Sequence, residues 1–522
     1  MGMTIHKSIL NHVLGPVMRG PSSSHTAGAY RIGALARALL GAAPVQATCT
    51  FDPAGSYAVC YHRQGADLAF AAALLGWSIT DERYDRALDE AAAAGIEIAF
   101  EVAPLADADH PNTMDLSLAA EDGRTLRARA RSVGGGAVEV TRLADWPVRL
   151  TGDAHAVLVE TDAGAAEVVA RRLASDGASL EPPEMQEREG GALVSARRRE
   201  PMPADALADL RVAAGVRTVR TAEPILFPQP GRPLFDGGAG MVALCGERGL
   251  SLGEAALESE SALLQVPTET VLAEIDRRLG IMAAAVERGL ADPPAMQLLA
   301  PSAGTVFEAE ADGRLPAGGF ATRAAARALA AMHTSSGGGV VCAAPTGGSA
   351  GVLPGVLVTL QAERGLGGRD AALALLAAGA VGQVIATRAT FAAEVAGCQV
   401  EIGAAGAMAA AACVQAAGGT AVQATDAAAV ALQNTMGLVC DLVQGVVEIP
   451  CHSRNAAAAA GALVCADIVM GGYANPVPLD ETVDAVLAVG RMMPRELRCT
   501  ALGGLAQAPS AKALGRRESP EA

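Results

Sequence analysis

Aromatic side chains are scarce, 3% of 522 residues, with two Trp, five Tyr and eight Phe. Positive charge is in deficit too, because the formal net charge is -16 at pH 7. Stacking on bases needs rings, and holding a phosphate backbone needs excess Lys and Arg, so these shortages exclude nucleic acid as a partner. The two most apolar stretches, 371–386 and 456–470, each run under 18 residues and are interrupted by Gln383 or Asp467. They read as buried core helices, with no membrane partner. The opening "MGMTIHKSILNHVLGPV" has no long apolar region before Pro16, and no secretory signal is read in it. There is no His-Glu-x-x-His pair to favour a zinc hydrolase, and no Gly-Lys-Ser/Thr follows the glycine-rich "APTGGSAG" as a nucleotide loop requires. The ten cysteines lack the dense spacing of a disulfide framework, which fits a reducing, cytoplasmic setting.

What the chain has instead is small aliphatic residue: 51% is apolar, supplied by Ala, Val, Leu, Ile and Met. That composition suits closely packed helices, and the periodicity predicts an α+β multidomain protein. Residues 1–150 mix a helical pattern at 25–41 with alternating strands at 45–51, 96–102 and 125–133, an N-terminal α/β domain. Residues 153–225 read β-α-β-β-α-β, a small ferredoxin-like domain. Its topology and the "ETDAG" turn resemble an ACT domain; a packing or dimerisation module is the alternative. The Pro- and Gly-rich 222–240 reads as a linker, and 236–515 as a large, mostly α-helical catalytic domain in which Pro267 divides the clearest amphipathic stretch.

Chemistry-bearing residues gather in loops of this pattern. "GPSSSHTAG" places Ser22, Ser23, Ser24, His25 and Thr26 before a helix. Ser23, Ser24 or Thr26 can cap it and leave a carboxylate site at its N-terminus, and His25 can act as acid or base. "APTGGSAG" offers backbone N–H groups with Thr346 and Ser349. Cys398, Cys440 and Cys451 each sit where Gly or Pro breaks a helix, but spacings of 42 and 11 residues leave metal ligation and buried thiols both open. Pro450 sets up a helix beginning at Cys451, whose free N–H groups would favour a thiolate. Arg454 and Asn455 follow one turn later, Arg454 suited to a bidentate carboxylate contact.

Six stretches in order, "GPSSSHTAGAYRIG", "HPNT", "SVGGG", "AAPTGGSAGVLPG", "EVAGCQVEIG" and "CDLVQGVVEIPCHSRNA", closely resemble the iron-sulfur-dependent L-serine dehydratases of bacteria. The resemblance runs over nearly the whole chain and implies β-type, ACT-like and α-type domains fused in one polypeptide. It implies a 4Fe-4S cluster on Cys398, Cys440 and Cys451, with an open iron for a small amino-acid or hydroxy-acid substrate. It also places Ser22, Ser23, Ser24, His25, Thr26, Asp67, Asn112, Gly135, Thr346 and Ser349 at the substrate. A homodimer is expected.

Two departures stand out. Where the family carries Gly-His-Gly-Thr-Asp, this chain has "RQGAD" at 63–67, keeping Gly65 and Asp67 while Gln64 replaces the histidine and Ala66 the threonine; His25, His110 or His452 then becomes the candidate for proton transfer, a solvent-facing position being the alternative for His452. The segment "AAMHTSSGGGVVCAAPT" is smaller and richer in glycine than its family counterpart. Both point to β-elimination on a related 2-amino or 2-hydroxy acid as a second reading, with a non-catalytic ligand-binding relative as a third. The terminal "RRESPEA" lacks the near-terminal cysteine with which some family members cover the open iron.

Overall fold

A computed structural model describes residues 6–516. The tail at 517–522 and the first five residues lie outside the described residues.

The N-terminal region is built on a six-stranded sheet. Its order is Glu97–Val102, Pro44–Phe51, Thr113–Ala120, Thr125–Gly134, Ala137–Leu143 and Trp146–Leu150, with only the first pair parallel. The alternation that predicts three of these strands is real, while Thr113–Ala120 and the last two are additions. Helices Gly28–Leu40 and Ala66–Leu75 pack on each other, and the first lies against the sheet. The apolar core between them includes Phe51, Tyr57 and Phe70 and runs on without interruption to Cys398, Cys440 and Cys451.

The second unit follows the expected β-α-β-β-α-β sequence, with its strands in the spatial order Val216–Ala222, His155–Thr161, Gly191–Arg198, Glu184–Arg188, all antiparallel. It has a small core of its own around Val157, Val159, Leu173 and Val194. The predicted strand from Ala178 shifts to Glu184–Arg188, because Pro182 and Pro183 lack the N–H groups a ladder uses.

Past the linker the chain is helical. Leu252–Leu264 starts on a capping box made by Ser251 and Glu254, and Thr268–Ala291 begins directly after Pro267, the predicted break. The helix expected at 371–386 is longer, Gly368–Arg388; it is long and apolar enough to cross a membrane, but 89% of its most apolar window is buried within this chain. It packs against Leu252–Leu264 and Ile402–Ala416. Alanine-rich faces let these helices approach closely, which explains a large core with so few rings.

Two connections fix the N-terminal region to the helical one. Val17–Arg19 pairs antiparallel with Val340–Cys342, which also buries Cys342 as a core thiol. The turn Gly134–Gly136, with all three residues at positive φ, presses on the segment before Glu394: a Cβ on Gly134 would stand 2.7 Å from the Ala392 nitrogen. Replacing Gly134 by Ala therefore meets both a disfavoured φ of 103° and a backbone clash. The expected outcome in urea unfolding is a loss of about 2 kcal/mol, with wild-type stability the contrary result.

Candidate active site

The loop 20–28 reaches the helical region through contacts too close for side chains. A Cβ on Gly347 would lie 2.8 Å from the Pro21 carbonyl oxygen and 2.9 Å from the Ser23 nitrogen, so the serine loop and the glycine-rich loop meet backbone to backbone. Asn455 clamps the second loop. Its Nδ2 donates to the carbonyls of Gly348 and Cys451, both at 2.8 Å, and its Oδ1 accepts from the Gly351 N–H at 3.0 Å.

Between these loops lies a small cavity, about 20 Å³, walled by thiols and carboxyls. Cys398, Cys440 and Cys451 line it, joined by Cys499; Ser22, Ser24, Gln64 and Gly348 form another wall, and Glu394 and Glu401 stand among them. A larger cleft of about 1290 Å³, bordered by Lys7, Arg149, Arg197 and Arg232, shares none of these residues. All ten cysteines are free thiols. The smaller space is the candidate site because four thiols from separate segments converge there with two carboxyls and two serine hydroxyls.

The thiols are strongly protonated in this setting. Cys398 is raised well above an ordinary thiol by its hydrogen bond with Cys440 and by burial, and Cys451 by burial and the neighbouring Cys398. Cys499 has a hydrogen bond with Cys440 that lowers its pKa, but burial and nearby carboxyls outweigh it and push the thiol up to about 12. The backbone holds Cys499 there: Cys440 donates its N–H to the Leu497 carbonyl and Cys499 donates to the Cys440 carbonyl, both at 2.9 Å. Cys451 does open the helix Cys451–Met470 directly after Pro450, as expected, but the His452 N–H is committed to the Glu448 carbonyl at 2.9 Å. The helix start therefore offers fewer free donors than its sequence suggests.

The serine loop forms a single π-helical turn, Ser23–Ala27, before the helix. Ser22, and not Ser23, Ser24 or Thr26, accepts from a turn N–H, that of His25 at 3.2 Å. Ser23 is buried with its backbone against Gly347. Thr26 donates to the Gln64 carbonyl at 2.6 Å, which pins the "RQGAD" segment under the loop. His25 lies wholly buried behind Ser24, and burial holds its pKa below the usual imidazole value although Glu394 works against this.

Several expected site residues are engaged elsewhere. Asp67 does not line the cavity; it pairs with His62 at 2.6 Å. Arg454 gives Nη1 to the Asp441 carboxylate at 3.0 Å and to the Val439 carbonyl at 2.8 Å, so it braces the Cys440 loop from within. His452 neither faces solvent nor the cavity: it is buried, lies 2.8 Å from the Ser336 hydroxyl, and burial beside His333 lowers it to about 3. One residue advances about 100° around a helix, so a neighbour of Cys451 in sequence points away from it in space. Thr346 and Ser349 cap each other within the glycine-rich loop, and Thr346 also bonds Glu401. Gly135 sits in the turn behind the wall, and Asn112, fully buried, donates from Nδ2 to the Ser132 carbonyl at 3.5 Å, close enough to Glu394 to lower it.

Cys499, Glu394 and Glu401 are what the sequence reading did not place at the site. The two carboxyls flank Cys398 in "EVAGCQVEIG", a motif whose acidic positions were the available signal. Burial and the negative charge of Glu394 raise Glu401 from 4.5 to about 8, against a hydrogen bond from Thr346.

Fold and site together define a multidomain chain whose cavity is lined by residues from both an N-terminal α/β region and a C-terminal helical one. The family described as serine dehydratase alpha chain matches residues 247–506. A probable L-serine dehydratase alpha chain of Bacillus subtilis is 35% identical over 294 residues, 54% of this chain and 97% of that protein. The L-serine dehydratase alpha chain of Peptoniphilus asaccharolyticus is 34% identical over 278 residues, 53% of this chain and 95% of that protein. A probable L-serine dehydratase beta chain of Bacillus subtilis is 42% identical over 165 residues, 30% of this chain and 73% of that protein. The chain belongs to the L-serine dehydratase family, with alpha- and beta-type parts fused in one polypeptide.

Glu401 makes a pH dependence. The folded chain keeps this proton up to about pH 8, whereas the unfolded chain releases it near 4.5, so the contribution to stability is complete below 4.5 and lost as pH rises through 8. In metal-free protein, Glu401→Gln is expected to flatten the decline of unfolding free energy across that window, measured by urea titration at several pH values; an unchanged slope contradicts the assignment.

Proposed function

We propose that this chain is an iron-sulfur-dependent L-serine dehydratase, converting L-serine to pyruvate and ammonia. The observation that carries the reading is the convergence of Cys398, Cys440 and Cys451, from three separate segments, on one cavity wall with the hydroxyls of Ser22 and Ser24 opposite.

The donor set supports a cluster. Four soft thiols share the cavity with no imidazole on its wall, a combination suited to iron-sulfur chemistry. Among the described residues no three His, Cys, Asp or Glu side chains converge tightly enough to hold a single metal ion, and a four-iron cluster spreads its ligands wider than one ion does. Cys398, Cys440 and Cys451 would hold a 4Fe-4S cluster. When bound, it supplies Lewis acidity toward a hydroxyl, which is otherwise a poor leaving group.

The chain's own residues do the rest. Ser22, with the N–H groups of the paired loops, binds and orients the substrate carboxylate, while Ser24 is held on Glu394. Gln64 donates from Nε2 to the Gly445 carbonyl at 3.1 Å and closes the floor where the family carries histidine. Thr346 and Ser349 set the glycine-rich wall, and His25 holds Ser24 in place. Loss of the α-proton and of hydroxide gives an enamine, which tautomerises and hydrolyses to the keto acid and ammonia. With this reading come an ACT-like regulatory role for residues 153–225, a homodimer, and a cytoplasmic location.

The test is turnover by anaerobically prepared, cluster-loaded protein on serine, threonine, cysteine, 3-hydroxyaspartate and the corresponding hydroxy acids. Serine well ahead, with pyruvate and ammonia formed in equal amounts, is expected; another substrate ahead, or none turned over, contradicts the proposal.

A further inference from the structure

Glu394 differs from the other buried glutamates of this protein. Glu448 accepts three backbone N–H groups, from Gln297, Leu298 and Leu299, and Glu260 accepts from Ile9, Leu10 and the Ser8 hydroxyl; both anchor loops and neither lines the cavity. Glu394 lines it, with a side chain only 3% exposed. No arginine or lysine pairs with it among the described residues.

Its hydrogen bonds come from neutral donors in a directed chain. The Ser24 hydroxyl donates to Oε1 at 2.8 Å and lies 2.9 Å from His25 Nδ1. Ser24 has one proton and gives it to the carboxylate, so His25 must donate from Nδ1, and its Nε2 lies 3.0 Å from the Ser56 hydroxyl. His25 Nδ1 is itself 3.8 Å from Oε1. Burial would raise Glu394, but His25, its own backbone, Asn112 and Ser24 hold it below the usual carboxylate value, while His25 stays below the usual imidazole value. Glu394 and His25 thus form a buried carboxylate–imidazole pair bridged by the Ser24 hydroxyl. The other titratable groups near it are Glu401, His110, Tyr57, Cys60 and the four cavity thiols. Gly134 and Ala392 in close contact fix the backbone two residues before it.

We propose that Glu394 is the catalytic base that takes the α-proton of the substrate, with Ser24 and His25 as positioning residues. The proposal rests on the dehydratase reading. The Cα–H bond breaks and its proton passes to a Glu394 carboxylate oxygen; the freed electron pair forms the Cα–Cβ double bond, and the Cβ–O bond breaks to release hydroxide. The proton on Glu394 then joins the hydroxide as water, which restores the carboxylate with no change of oxidation state. This gives the chain a base where Gln64 has replaced the family's histidine.

The test uses the cluster-loaded full chain. Glu394→Gln is expected to keep its iron content, its visible absorption and the change in that absorption when serine is added. It should lose turnover by ~100- to ~10,000-fold and lose exchange of the serine α-hydrogen with deuterated water, followed by NMR. Glu394→Asp should recover part of both. Ser24→Ala should move the acid limb of the pH–rate profile to higher pH, because a donor to the anion is gone; an acid limb that stays in place removes Ser24 from the positioning role. Glu394→Gln with turnover within a few-fold of wild type overturns the assignment and leaves the dehydratase reading standing. A cluster-loaded wild-type enzyme inert toward serine overturns both.

Discussion

The contact on which the site depends is the backbone approach of residues 20–28 to residues 345–351. Gly347 leaves no room for even a methyl group between the two loops, and Asn455 holds the second of them against the helix that starts at Cys451. Because of it, the hydroxyls of Ser22 and Ser24 from the start of the chain face thiols that come more than 370 residues later. A fused polypeptide makes this encounter intramolecular, and the short pairing of Val17–Arg19 with Val340–Cys342 fixes its register.

Burial of acidic groups is the electrostatic consequence. Four thiols and two carboxyls share one small space, and the nearest arginine, Arg454, is committed to Asp441. Such a group of potential anions, offset at Cys398 and Cys451 by the Arg454 charge, is costly to ionise in a low-dielectric interior. In the metal-free chain burial raises the thiols and Glu401, whereas His25, followed by hydrogen bonds, holds Glu394 below the usual carboxylate value. A bound group of positive character would reverse the balance and draw the thiols into their anionic form.

Much of the fold can be read from periodicity. The β-α-β-β-α-β unit, the Pro267 break and the helix beginning at Cys451 all follow from local rules of alternation, capping and proline geometry. Cys398, Cys440 and Cys451 are legible together by family resemblance, and the structure brings them to one cavity. Cys499 is invisible to such reading because a backbone ladder to Cys440, made only in the folded chain, brings it there. Glu394 depends in the same way on Ser24, 370 residues away. His452 and Arg454 fail in the opposite sense: proximity to Cys451 along the chain suggests a role, and helix rotation together with the partners Ser336 and Asp441 takes them out of the cavity.

The account stands on three thiols acting together as ligands, and the most direct measurement is the iron and inorganic sulfide content of anaerobically purified protein, wild type beside Cys451→Ser. It predicts iron and sulfide in equal amounts filling one 4Fe-4S cluster per wild-type chain, and their loss from the variant. Wild-type protein that binds neither after anaerobic reconstitution, or a variant that retains both, would contradict it.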